Sequence, residues 1–130
     1  MTVLEGEAGG RTPTVLVVDD EPGILGFLEF ALADEGFNVE TAADGLAALR
    51  SVARTPPTVV VTDLMMPRLD GFGLIRRLRD AHEPLRGIIA MSAVRGGDDP
   101  PAGADLFVAK PFEIERMIAC IRALLDGGRR

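Results

Sequence analysis

Short, solidly apolar runs alternate with longer stretches of helical period from residue 14 onward, and few folds satisfy that rhythm. Residues 15–18, 59–62, 88–91 and 106–109 read as buried strands, and 37–42 alternates loosely, like a half-buried one. Pro22 suits the first turn of a helix. The stretch that follows, GILGFLEFALADEG, places Ile24, Phe27, Leu28, Ala31 and Leu32 on one face, and Gly36 stops it. Asp44 can cap a second helix with Leu46, Ala47, Leu49 and Ala53 as its buried stripe, ended by Pro56-Pro57. Phe72, Leu74, Ile75 and Leu78 stripe a third. The last helix has the clearest spacing, with Ile114, Met117, Ile118, Ile121, Leu124 and Leu125 on one side and Gly127-Gly128 after it. Strands this short, separated by helices, imply right-handed βαβ crossovers and an α/β fold with a parallel sheet. Such a sheet is covered on both faces, which is why its strands are almost pure Val, Ile and Leu.

Composition narrows the class. The 130 residues suit one domain, and 47% apolar with 26% charged residues is a globular profile. Cys120 is the single cysteine, so no internal disulfide forms and a reducing cytosol is compatible. A formal charge of −6 argues against a nucleic-acid surface. No apolar segment approaches the roughly 18 residues a bilayer requires. Residues 1–13 are rich in Gly, Thr and Glu and lack a signal-peptide core, so they read as a disordered tail. The folded domain is expected over 14–127, with 128–130 a tail or the start of a linker, in a cytoplasmic protein.

Chemistry concentrates where the strands end. In open parallel sheets the functional crevice lies beyond the carboxyl ends of the strands. The first strand ends in Asp19-Asp20, the third in Asp63, the fourth in Ser92 and the fifth in Lys110-Pro111. If the first and third strands are neighbours, three carboxylates converge, and their repulsion calls for a hard cation such as Mg²⁺ or Mn²⁺. Lys110 and Ser92 would complete a cradle for a phosphoryl group. Asp63, on the expected central strand, is then the best-placed carboxylate nucleophile, forming an aspartyl phosphate.

The segments VLVVDDEP, VVVTDLMMPRLDG, IIAMSA and GADLFVAKPF together resemble the receiver domain of bacterial two-component response regulators. The resemblance covers residues 14 to about 126 and implies a flavodoxin-like (βα)5 three-layer sandwich with sheet order 2-1-3-4-5. By position it makes Asp63 the phosphoacceptor. Asp19, Asp20, Asp63 and the backbone carbonyl of Met65 become the metal ligands. Ser92 and Phe107 become the switch residues, and Lys110 the lysine that pairs with the phosphoryl group, with a cis bond to Pro111. It implies phosphoryl transfer from a sensor histidine kinase or a histidine phosphotransfer protein, then a shift between two conformations that regulates a downstream protein. Activity beyond self-phosphorylation and autodephosphorylation is not expected. Met65 and Val94 beside the site offer no polar group to orient water, so a long-lived phosphoryl group is expected.

The chain also departs from that pattern. Between Ser92 and Lys110, Gly96, Gly97, Pro100, Pro101 and Gly103 leave room for at most one helical turn, around Asp98 to Ala102, so the fourth helix is shortened or missing. The segment is either a harmless surface deletion or an altered dimerisation and output face, and a monomer or weak dimer is expected. The first helix carries little charge besides Glu29, so Leu25 or Phe30 must lie outside the core, as a docking patch or partly buried under loops. His82, Cys120, Met65-Met66 and the Arg76, Arg77, Arg79 face read as solvent-facing or packing residues, and Asp70-Gly71 as a turn and helix start. The rival readings are an unphosphorylated docking receiver, an Asp-nucleophile Mg²⁺-dependent phosphatase and a flavodoxin-like cofactor carrier. The phosphatases place a second Asp two positions after the nucleophile, whereas here the acids are adjacent. The carrier needs a Ser/Thr-rich phosphate loop, where Asp19, Asp20 and Glu21 would repel phosphate. The chain is expected to be a single-domain regulator or the receiver part of a longer protein.

Overall fold

The computed structural model describes residues 12–93 and 99–127. Among the described residues five strands and four helices follow one another: β1 (Thr14–Val18), α1 (Pro22–Asp34), β2 (Asn38–Ala42), α2 (Gly45–Arg54), β3 (Val59–Asp63), α3 (Gly71–Asp80), β4 (Gly87–Ser92), β5 (Leu106–Ala109) and α4 (Ile114–Gly127). All neighbouring strands are parallel. The sheet order β2-β1-β3-β4-β5 is the expected flavodoxin-like 2-1-3-4-5.

Strand alternation divides the core into two layers. Leu16, Val18, Val60, Ile88, Ala90 and Phe107 face Ala48 and Val52 of α2 and Leu74, Ile75 and Leu78 of α3. Val15, Val17, Val59, Val61, Ile89, Met91 and Val108 face Leu28 and Leu32 of α1 and Met117 and Ile121 of α4. The three central strands are therefore apolar at successive positions, since both of their faces are covered.

Helix boundaries follow local chemistry. Pro22 opens α1, and Gly36 ends it at φ 99°, a conformation that glycine adopts without penalty. Asp44 caps α2 by accepting from Ala47 N–H at 2.8 Å, and Asp70 caps α3 by accepting from Gly73 N–H at 2.9 Å. The rotation of three helices differs from the sequence reading. Phe27 of α1 is 49% exposed and Phe30 is 76% exposed, leaving Leu28 and Leu32 as the buried pair. In α2, Leu46 and Ala53 are exposed, Ala47 and Leu49 are half-buried, and Ala48, Ser51 and Val52 form the buried stripe. Gly45 turns α2 this way. Its N–H donates to the Leu69 carbonyl at 3.0 Å, and it lies so close to Leu69 that a Cβ would overlap. In α3, Phe72 is exposed while Leu74, Ile75 and Leu78 are buried, because a residue two positions from Leu74 faces away from it.

Among the described residues no helix lies between β4 and β5. Val94, Gly96, Gly97 and Asp98, for which a shortened helix and an apolar flank of the site are expected, lie outside the described residues, as do residues 1–11 of the expected 1–13 tail and the expected tail over 128–130. Residues 99–105 run as irregular chain with a turn at Ala102-Gly103, where Gly103 has φ 90°. Arg79 holds them to α3, donating from Nε to the Gly103 carbonyl at 2.8 Å and from a terminal nitrogen to Asp105 at 2.9 Å. The same Asp105 oxygen accepts from Ile88 N–H at 2.8 Å.

Candidate functional site

The strand ends bring the predicted residues to one edge. Val18 pairs with Thr62, so Asp19 follows level with Asp63, and Asp63 pairs in turn with Met91 beside Ser92. Ser92 pairs with Ala109, and its carbonyl accepts from Lys110 N–H at 3.0 Å, which sets Lys110 at the same edge. The Lys110-Pro111 bond is cis. Asp20, Glu21, Asp63, Met65, Ser92, Ala93 and Lys110 line a cleft of about 280 Å³.

Lys110 ties the site together. Its Nζ donates to Asp19 Oδ2 at 2.7 Å and lies 3.1 Å from Asp63 Oδ1. Asp19 is fully buried, and its other oxygen accepts from Glu21 N–H at 2.9 Å, so its carboxylate is fixed in one orientation. Asp20 is exposed on the cleft rim, and Asp63 is buried. Burial pushes the Asp63 carboxyl above the usual carboxylate value. Lys110 opposes that shift, and the charges of Asp19 and Asp20 add to it. Burial alone would lower the Lys110 pKa, yet its bonds to Asp19 and Asp63 outweigh burial and raise it, keeping the ammonium charged.

The donor set fits a hard divalent cation. Asp19, Asp20 and Asp63 each offer an oxygen, all within 4.8 Å of one another. Oxygens of one Mg²⁺ octahedron stand about 3 to 4.2 Å apart, from bond lengths of roughly 2.1 Å, so a small rotation or one bridging water closes the set. Three carboxylates face one ammonium, an acidic excess that a divalent ion offsets.

The outer residues fall into place differently. Ser92 is buried at the cleft floor, and Met65 is exposed on its wall. Phe107 is buried away from the cleft, in the layer with α2 and α3. Val94 lies outside the described residues. Sequence reasoning missed three contributors. Glu21 reaches to 3.8 Å from Lys110 Nζ, and its place in the acidic run was the available signal. Thr62 Oγ1 donates to the Asp63 carbonyl at 2.8 Å, steadying the strand end. Gly71 packs on the Asp63 carbonyl so closely that only glycine fits, and its N–H donates to the Leu64 carbonyl at 3.0 Å.

Comparison with known proteins agrees with this geometry. The family model described as response regulator receiver domain matches residues 15–122. The probable transcriptional regulatory protein TcrX of Mycobacterium tuberculosis is 39% identical over 122 residues, covering 91% of this chain and 52% of the relative. The response regulator MprA of Mycobacterium leprae is 42% identical over 118 residues, covering 85% and 50%. The chain thus spans about half the length of these curated relatives. Among solved structures, the receiver domain of Francisella response regulator 1452 superposes with a TM-score of 0.77 at 31% identity, over 87% of this chain and 96% of that one.

Proposed function

This chain belongs to the receiver-domain family of response regulators, and from that premise we propose that it accepts a phosphoryl group on Asp63 and passes the event on as a change of conformation. The observation that carries the reading is Lys110 Nζ, 2.7 Å from Asp19 and 3.1 Å from Asp63, at the floor of an acidic cleft. It supplies the positive charge that phosphoryl transfer requires, next to Asp63, a buried carboxylate that ends β3 and lines the cleft.

An Asp63 oxygen attacks the phosphorus of a phosphohistidine. The P–N bond breaks, the imidazole leaves with the bond's electron pair, and an acyl phosphate forms on Asp63. Lys110 and the Ser92 hydroxyl stabilise the charge on the transferred oxygens. Asp19, Asp20, Asp63 and the Met65 carbonyl would hold Mg²⁺ or Mn²⁺, which neutralises phosphate charge when bound. Phosphorylation displaces Lys110 from its bond with Asp63, and Ser92 turns toward the new group. Phe107, packed beside Ala90 on the strand before Ser92, follows by repacking among apolar neighbours.

The donor is a sensor histidine kinase or a histidine phosphotransfer protein. Its landing surface is α1, where Phe27 and Phe30 are exposed and a pocket of about 350 Å³ opens between Ile24, Phe27, Phe112 and Lys110. Beyond self-phosphorylation and slow hydrolysis, the chain acts on no other substrate. It binds a downstream protein without contacting nucleic acid itself, as a monomer or weak dimer. Among the described residues no helix is long and apolar enough to cross a membrane, and a cytoplasmic location follows from the kinase partner.

Intact mass after incubation with Mg²⁺ and acetyl phosphate tests the reading. One added phosphoryl group on the parent and none on Asp63→Asn is expected. No addition to either folded protein would replace phosphoacceptance with a docking role.

A further inference from the structure

Residues 64–70 connect β3 to α3 and carry Met65 along the wall of the cleft. Within this loop Arg68 sits at φ 71°, in the left-handed region. Leu69 N–H donates to the Pro67 carbonyl across it at 2.9 Å, which makes Arg68 the centre of a strained γ-turn. A non-glycine residue keeps such a conformation where its surroundings over-determine it.

Two contacts do so here, and both come from the start of α2. Arg68 Nε donates to Asp44 Oδ2 at 2.7 Å. Gly45 N–H donates to the Leu69 carbonyl at 3.0 Å. The Arg68 side chain is 61% exposed, whereas that of Asp44 is 9% exposed, so a buried carboxylate holds an exposed guanidinium. The other Asp44 oxygen is committed to capping α2 through Ala47 N–H. An exposed ion pair adds little to stability. This one instead joins the left-handed residue of a cleft loop to a rigid helix start.

We propose that the Asp44–Arg68 pair is a brace that positions the 64–70 loop, and with it the Met65 carbonyl, for the divalent cation held by Asp19, Asp20 and Asp63. The proposal rests on the receiver reading above. Arg68 and Asp44 touch neither the cation nor the phosphoryl group; they are positioning residues that act through the loop.

The test uses Arg68→Gln and Asp44→Asn, singly and together, in the full chain. Asparagine keeps the capping acceptor of α2 while removing the charge. The Mg²⁺ dissociation constant is read from amide chemical shifts of residues 63–66 during titration with Mg²⁺ alone, and the urea midpoint is measured in parallel. Each single substitution should weaken Mg²⁺ binding by roughly three- to tenfold, below or at the lower end of what losing a direct support of a ligand does. The double variant should lose no more than the weaker-binding single, because both remove one interaction. The urea midpoint of Arg68→Gln should stay close to the parent's, and Arg68→Lys should recover part of the affinity. Parent-like Mg²⁺ binding by Arg68→Gln overturns the brace alone, and so do losses that multiply in the double variant. A folded parent whose amides do not respond to Mg²⁺ overturns the brace together with the receiver reading of the cleft.

Discussion

Gly71 and Gly26 should respond to alanine with opposite signs. Gly71 opens α3 directly against the end of β3. A Cβ built on it would overlap the Asp63 carbonyl oxygen and stand 2.7 Å from the Leu64 Cα. Ordinary contact begins at 3.4 Å, so clearing the Leu64 Cα alone requires the helix start to retreat by about 0.7 Å, the difference between 3.4 and 2.7, and clearing the closer Asp63 oxygen requires more. The atoms in the way are backbone of the central strand and cannot rotate aside. That retreat stretches the 3.0 Å bond from Gly71 N–H to the Leu64 carbonyl out of hydrogen-bonding range. Overpacking costs about 1–3 kcal/mol, and the lost bond about 1 kcal/mol. Better helix propensity offsets at most about 1 kcal/mol, so Gly71→Ala should lose roughly 2 kcal/mol. At Gly26, inside α1, a Cβ meets nothing within 4 Å, and only the propensity gain of about 0.5–1 kcal/mol remains. The chain has no Trp and no Tyr, so urea unfolding is best followed by far-UV circular dichroism. With a slope of about 1–3 kcal/mol per molar urea, the Gly71→Ala midpoint falls by about 1 M and the Gly26→Ala midpoint rises by a few tenths. A Gly71→Ala protein with the parent's midpoint and slope would refute the reasoning, since the crowding at Asp63 would then relax freely.

Burial in α1 sets a second contrast. Leu28→Ala should lose about 2–5 kcal/mol, whereas Phe30→Ser, at a 76% exposed position, should stay within about 0.5 kcal/mol of the parent by urea midpoint. In the β4–β5 connection, Asp105→Ala should destabilise by about 1–3 kcal/mol, because it strips the Ile88 N–H of its acceptor. Arg79→Ala removes only a half-exposed ion pair and a carbonyl bond, and should lose about 1 kcal/mol or less; equal losses for the two would show that the Ile88 bond carries no weight. Asp44 predicts a pH dependence. Its carboxyl lies below its ordinary value of 3.8, held there by the Ala47 N–H bond and then by Arg68. A depressed carboxylate stabilises the fold above 3.8, and that contribution is lost as pH falls through the lower folded value. The thermal-midpoint gap between the parent and Asp44→Asn should therefore be steady near neutrality and close in acid. A gap unchanged at the lowest pH would exclude the charge as its source.

Much of this molecule was legible along the chain because its signals are local. A run such as Val59-Val60-Val61 can only be satisfied by cover on both faces, and a carboxylate at its end can only face the open edge. Asp19, Asp20, Asp63, Ser92 and Lys110 were therefore readable as one edge of a parallel sheet before any contact was known. The caps at Asp44 and Asp70 are equally local, since each needs only a backbone N–H three residues on. Neighbouring strands were a condition in the residue argument, and the resemblance alone implied their order. Pairing of β1 with β3 joins segments far apart in sequence, and nothing within either strand encodes it.

Helix rotation shows the same divide. Hydrophobicity favoured Leu46 and Phe27 as core residues, yet the contact of Gly45 with Leu69 turns α2 onto Ala48, Ser51 and Val52. Small side chains were chosen there by the space left between helix and sheet, which no single segment reports. The Lys110 bond to Asp19 spans 91 positions, and the Arg68 bond to Asp44 spans 24. Arginine in a turn looks like any solvated charge until tertiary packing sets a buried carboxylate beside it. Sequence alone determined which chemistry this edge of the sheet carries, because polarity at the end of an apolar run is a local fact. Only the tertiary structure decided which charges meet, because a salt bridge is a distance, and distances between remote segments exist only once the sheet has closed.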